Sequence, residues 1–316
     1  MKKPITTIVT IPNMIYPEDW RHLEEKSEVR YVERKDKVTE EELLEILKDS
    51  DYFMVDPDAV DGLHESFYQQ IKQRNLPLKA ISADITGMSW ASPPAAKDNG
   101  IILMNTAGYS TVSVAEFTFA LILVQLKKMD SVWHDRVNKR DEKPYKNEVL
   151  AGKTVGIVGL GNIGQKVAEL LEGFDVKIIA WDRKEKNLSN IKQLSLETVM
   201  EQSDILTIHL KTTDETKGMF DAKILAHAKK GQYIINEADG PLVDNEILSK
   251  AISSGQIAGY ACANSAVANT SLADNEKVLT FPSQAWYTDH SLTLLRKIWV
   301  DNIVSTIDGK PKNLVD

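Results

Sequence analysis

The sequence predicts an α/β protein built from two doubly wound parallel sheets, each covered by helices on both faces. Short apolar runs alternate with helical patterns along the whole chain, as expected of strands joined by crossover helices. A glycine-rich turn, Gly159-Leu160-Gly161-Asn162-Ile163-Gly164, stands where one apolar run gives way to a helical pattern. The length of 316 residues suits two domains of roughly 100–200 residues each.

In the first half, residues 5–10, 29–32, 52–55, 78–83 and 101–104 read as strands. Residues 17–26, 39–48, 62–73 and 93–99 read as the helices between them. Thr39 and Glu42 form a capping-box pattern, because a hydroxyl and a carboxylate three residues apart can satisfy a helix's first amides. Residues 112–129 form a long, mostly apolar helical stretch. It falls short of the ~20 apolar residues of a membrane span, and Glu116 and Gln125 interrupt it. It reads as a helix buried between domains or subunits. Residues 134–147 are polar and read as an exposed linker.

In the second half, residues 153–158, 176–181, 205–209, 233–236, 257–261 and 278–281 read as strands. Helices are expected at 162–172, 222–228 and 245–253. The amphipathic final helix, 291–307, can cross back onto the first domain. The predicted division is therefore discontinuous: residues 1–106 with 288–316, and residues 107–287.

Composition excludes several classes. With 42% hydrophobic and 27% charged residues, the chain can bury a core and is not disordered. Cys262 is the only cysteine, which excludes a disulfide scaffold and any multi-thiolate zinc site. It follows a strand and reads as a buried, inert thiol, compatible with a reducing compartment. The net charge of −8 is spread along the chain without a basic stripe, so nucleic acid is not an expected partner. The apolar run after Lys2-Lys3 contains threonines and stops at Pro12, which reads as a first strand and not a leader. A cytoplasmic protein with small-molecule partners, no membrane contact and no metal site is expected.

The glycine turn carries the chemistry. Its spacing permits a tight turn, backbone approach to a pyrophosphate and close packing of helix on strand; the helix N-terminus then faces the anion. Asp182, at the end of the next strand, stands where a carboxylate accepts hydrogen bonds from adenosine ribose hydroxyls. It disfavours a 2′-phosphate and so favours NAD over NADP, while its neighbour Arg183 is a group that can accommodate one. This is a Rossmann-type dinucleotide site.

With further motifs, the chain resembles the D-2-hydroxyacid dehydrogenase family almost throughout. They are Asn105-Thr106-Ala107-Gly108-Tyr109-Ser110, Gly152-Lys153-Thr154-Val155-Gly156, His209 with Thr213 and Glu215-Thr216-Lys217-Gly218, and Gly255-Gln256-Ile257-Ala258-Gly259. The resemblance implies a split, flavodoxin-like substrate domain, an NAD-binding domain, a cleft between them and a homodimer. It implies a cofactor site lined by Gly159, Gly161, Asn162, Ile163, Gly164, Asp182, Arg183, His209, Thr216 and Ala238, and a substrate loop at Thr86, Gly87 and Met88. In that loop the family's Gly-x-Gly reads Ile85-Thr86-Gly87.

The family's reaction uses an arginine to grip the substrate carboxylate. A histidine moves the hydroxyl proton, and an acid raises that histidine's pKa. By resemblance Asp239, Ala268 and Ser283 occupy these three positions, and Ala263 replaces an aspartate that holds the nicotinamide carboxamide. Tyr287 and His290 are candidate substitutes, and Asp239 is a candidate base or binder of a cationic substrate. His22, His64, His134 and His227 read as surface histidines. Two classes of function stay open: an NAD-dependent oxidoreductase with altered chemistry, and a non-catalytic NAD(H)-binding sensor, partner subunit or scaffold.

Overall fold

The computed structural model describes residues 2–140, 145–238, 240–263, 267 and 270–315. The chain divides into two units, Met1–Ser110 with Asp289–Asp316, and Thr111–Thr288.

In the first unit, β1 (Ile5–Thr10), β2 (Glu28–Glu33), β3 (Tyr52–Val55), β4 (Ala80–Ala83) and β5 (Ile102–Met104) form a parallel sheet in the order β2-β1-β3-β4-β5. Strand order reverses between β1 and β3, the flavodoxin-like pattern. Helices α1 (Pro17–Glu24), α2 (Glu40–Ile46), α3 (Glu65–Gln73) and α4 (Pro93–Asp98) connect them. The capping box forms at α2: Thr39 N donates to Glu42 Oε2 at 3.1 Å, and Glu42 N donates to Thr39 Oγ1 at 3.4 Å.

Alternation along each strand feeds two cores. Val9, Phe53 and Val55 pack on one side with Phe67 and Leu103, while Ile8 and Met54 pack on the other with Trp20, Trp299 and Ile303. Trp299 belongs to the C-terminal helix Asp289–Ile307, which closes this second core. Its indole Nε1 donates to Ser82 O at 2.7 Å, and Asn302 Nδ2 donates to Ser82 Oγ at 3.1 Å.

Two acids stand past the register pair Val55–Ala83 at the ends of β3 and β4. Asp56 and Asp84 are both buried, and Asp84 Oδ2 has no hydrogen-bond partner. Burial, then the charges of Asp56 and Asp58, holds the Asp84 carboxyl well above the usual carboxylate range. Burial also raises Asp56. The folded state therefore keeps a proton that the unfolded chain releases above about pH 4. The stabilising effect is complete below that pH and is lost as pH rises through the folded-state value. Asp84→Asn removes the titration, so thermal unfolding should show a flatter decline of Tm toward pH 8 than in the parent; an unchanged slope would count against this.

The second unit contains α5 (Thr111–Lys127), α6 (Met129–Val137), β6 (Thr154–Val158), α7 (Asn162–Leu171), β7 (Lys177–Trp181), β8 (Lys192–Gln193) and α8 (Leu196–Gln202). It continues with β9 (Ile205–Ile208), α9 (Ala222–Ala226), β10 (Gln232–Asn236), α10 (Asn245–Ser253), β11 (Ile257–Cys262) and β12 (Val278–Thr280). Its parallel sheet runs β12-β11-β10-β9-β6-β7-β8 and reverses between β6 and β9. The apolar helix α5, expected between domains or subunits, is instead buried within this unit, against α7, β10 and β11. Gln125, one of the polar residues that interrupt its sequence, donates from Nε2 to Tyr260 O at 3.3 Å. Among the described residues no helix is long and apolar enough to cross a membrane.

Two sequence expectations need correction. The linker expected at 134–147 begins inside α6, whose apolar side chains are exposed and so leave no buried stripe to signal a helix. The edge strand β8 and helix α8 were not expected. β8 has two residues, and α8 starts at a Ser195 cap, where Thr198 N donates to Ser195 Oγ at 3.2 Å.

Candidate functional site

The carboxyl ends of the second unit's strands gather most of the expected cofactor residues. Gly159 follows β6 with φ +97°, and a Cβ there would lie 2.9 Å from His209 O. Both facts require glycine. A Cβ at Gly164 would lie 2.0 Å from Gly159 O, so helix α7 meets the turn backbone to backbone.

Gly161 differs, because a Cβ there would meet nothing within 4 Å. It is the N-cap of α7 and supplies no side-chain cap, leaving the helix's first amides for an anion. Asn162 and Ile163 form that first turn, Asn162 exposed and Ile163 packed against the core. A dinucleotide's diphosphate fits this open cradle.

Asp182 follows β7. Its Oδ2 accepts from Leu160 N at 2.8 Å and its Oδ1 from Lys184 N at 2.9 Å, so the carboxylate is fixed beside the glycine turn. Lone pairs remain for ribose hydroxyls. Arg183 pairs with Glu215 at 2.6 Å on the exposed surface. Such a pair is weak, so Arg183 stays available beside Asp182, whose carboxylate disfavours a 2′-phosphate.

His209 follows β9, and its N donates to Val158 O at 2.8 Å. An edge of the residue is accessible, yet both ring nitrogens are shielded and have no hydrogen-bond partner. Burial lowers its pKa to about 3, so the imidazole is neutral at physiological pH. In the loop beyond, Thr216 Oγ1 accepts from Thr213 N at 2.8 Å and donates to Lys211 O at 2.8 Å.

At the end of β10, Asn236 Nδ2 donates to the Tyr260 hydroxyl at 2.9 Å, and its Oδ1 accepts from the buried Ala238 N at 3.1 Å. Between them stands an acid that the motif reading passed over. Glu237 Oε1 accepts from Ala263 N at 3.0 Å, linking the ends of β10 and β11. The only signal in the sequence was a carboxylate inside Asn-x-Ala. Asp239 and Ala268 lie outside the described residues.

Ser283 is exposed, and its carbonyl accepts from Trp286 Nε1 at 3.1 Å. Tyr287 is exposed and meets Trp286 edge to face. Cys262 is fully buried. The other expected residues belong to the first unit. Thr86 O accepts from Asn105 Nδ2 at 2.8 Å, Gly87 O accepts from Trp90 Nε1 at 3.1 Å, and Met88 is buried. His290 is the exposed second residue of the C-terminal helix. His22 in the first unit and His227 in the second are exposed and pair with Asp301 and Glu201.

Residues 119–285 match the family described as "D-isomer specific 2-hydroxyacid dehydrogenase, NAD binding domain". The chain belongs to the D-isomer-specific 2-hydroxyacid dehydrogenase family. Its second unit is thus the family's NAD-binding domain. A glyoxylate reductase of Thermofilum pendens is 36% identical over 234 residues, covering 70% of this chain and 66% of that one. A glycerate dehydrogenase of Methylorubrum extorquens is 30% identical over 302 residues, covering 90% and 92%. In fold, the dehydrogenase-family chain is similar to an acyclic imino acid reductase solved with NADPH and D-Arg, with a TM-score of 0.87, 24% identity and full coverage of both chains.

Proposed function

We propose that this family member binds NAD(H) and has given up simple 2-keto acid reduction for an altered redox reaction. The observation carrying this is the segment Asn236-Glu237-Ala238-Asp239, in which Asp239 takes the position where the family's reaction needs a guanidinium. Losing a buried charge-assisted grip costs on the order of 2–5 kcal/mol, before any repulsion from Asp239. Ala268 and Ser283, in the positions of the acid and the histidine, remove the family's proton relay as well. In this reading Gly159, Gly161, Asn162, Ile163 and Gly164 cradle the diphosphate, and Asp182 binds the adenosine ribose. Arg183, His209, Thr216 and Ala238 line the same site. Bound NADH would supply hydride, and within the second unit Asp239 and Tyr287 are the candidates for moving a proton; His290 and the loop Thr86–Met88 belong to the first unit.

A second reading is favoured by the coincidence of three lost side chains at one site: a non-catalytic NAD(H)-binding sensor, partner subunit or scaffold. One experiment separates them, an NADH fluorescence titration combined with a turnover screen of 2-keto acids, alcohols and amines. Binding with turnover of a neutral or cationic substrate supports altered chemistry. Binding without any turnover supports the second reading. Efficient 2-keto acid reduction overturns both.

The single thiol and interspersed charge suit a cytoplasmic protein, and we propose a homodimer. Met129, Val132, Trp133 and Val137 share one face of α6 and are all more than half-exposed or at half exposure, Trp133 at 70%. A contiguous apolar face of this kind marks an association surface. Trp133→Glu should convert dimer to monomer in sedimentation velocity; a parent chain that already sediments as a monomer would contradict the proposal.

A further inference from the structure

We infer that Glu237 biases the site toward the oxidised cofactor, NAD+, over NADH. This inference rests on the dinucleotide-binding reading and goes beyond it. The two cofactor forms differ in charge at the nicotinamide ring, which is cationic when oxidised and neutral when reduced. A doubly wound sheet holds a dinucleotide across the strand ends on both sides of its reversal point. Asp182, after β7, marks the adenosine side, so the ends of β9, β10 and β11 form the nicotinamide side.

Glu237 belongs to that side. Asn236, the last residue of β10, pairs in register with Cys262 of β11, and Glu237 follows it. Its Oε1 accepts from Ala263 N at 3.0 Å, which pins the carboxylate where the two strands end. The residue remains partly exposed. Asp239, two residues on, adds a second formal negative charge to the segment. The loop after β9 carries Lys211 and Lys217, while from Gln232 to Glu276 the sequence contains one cation, Lys250, in helix α10. A fixed negative charge beside the ring attracts the oxidised form and does little for the reduced one.

The test is calorimetric titration of NAD+ and NADH into the full chain and into Glu237→Gln. Glutamine keeps an oxygen that can accept from Ala263 N while removing the charge. The expected result is an NAD+ Kd raised about five- to tenfold, with the NADH Kd within about twofold of the parent's. A merely structural tie between strand ends would shift both affinities together. Equal loss for both forms, or no change in either, overturns the inference while leaving dinucleotide binding intact. If the variant does not fold, the parent's own ratio decides. Its preference for NAD+ should shrink as salt rises, and a ratio indifferent to salt overturns the inference. A parent that binds neither form overturns the dinucleotide reading and this inference with it.

Discussion

A valine at Gly164 should abolish NADH binding in a fluorescence titration, with affinity falling about 100-fold or more, equivalent to at least ~2.7 kcal/mol. A Cβ at this position would lie 2.0 Å from Gly159 O and 3.2 Å from Ile157 Cγ2. The first contact is backbone, so no rotamer change can relieve it. Either α7 moves away from β6 or the glycine turn is displaced, and overpacking of this kind typically costs 1–3 kcal/mol of stability as well. Gly161→Ala is the informative contrast. Its new methyl would meet no protein atom within 4 Å, so stability should hold while the methyl obstructs the diphosphate. A Gly164→Val chain that binds NADH like the parent would refute the packing role.

Trp299→Ala should unfold the first unit's second core, lowering stability by about 3–5 kcal/mol. Trp299 is fully buried among Ile8, Met54, Val300 and Ile303, and its indole donates to Ser82 O at 2.7 Å. Truncation leaves a large cavity and removes the donor from a buried carbonyl, two costs that add. Denaturant unfolding gives the magnitude, and hydrogen exchange gives the place. Lost protection should concentrate in Met1–Ser110 and Asp289–Asp316. A loss below about 1 kcal/mol would show that the C-terminal helix is not an integral part of this unit.

The strands were legible in the sequence because most are short, buried, mainly apolar runs, as at Tyr52–Val55 and Ile205–Ile208. The glycine turn was legible because its three positions answer to three separate steric demands. Helix α6 was hidden because its apolar face points outward, and the polar stretch after it resembled a linker. β8 has only two residues and carries no alternation. Asp56 and Asp84 carried no signal in the sequence, since only the β3–β4 pairing brings them together in a buried place. Glu237 carried no local signal because its partner is a backbone amide 26 residues away, just past the end of the next strand. Local motifs reveal which residues a turn needs, but they do not reveal what a side chain meets across the sheet.

The most direct measurement is steady-state reduction of glyoxylate, pyruvate and hydroxypyruvate by the full chain at saturating NADH, after NADH binding has been demonstrated by titration. The expected result is saturable NADH binding with 2-keto acid turnover at background, because carboxylates occupy the segment where the substrate's own carboxylate must be held. Turnover of any of the three at an ordinary enzymatic rate, about 1 s⁻¹ or faster, would contradict it.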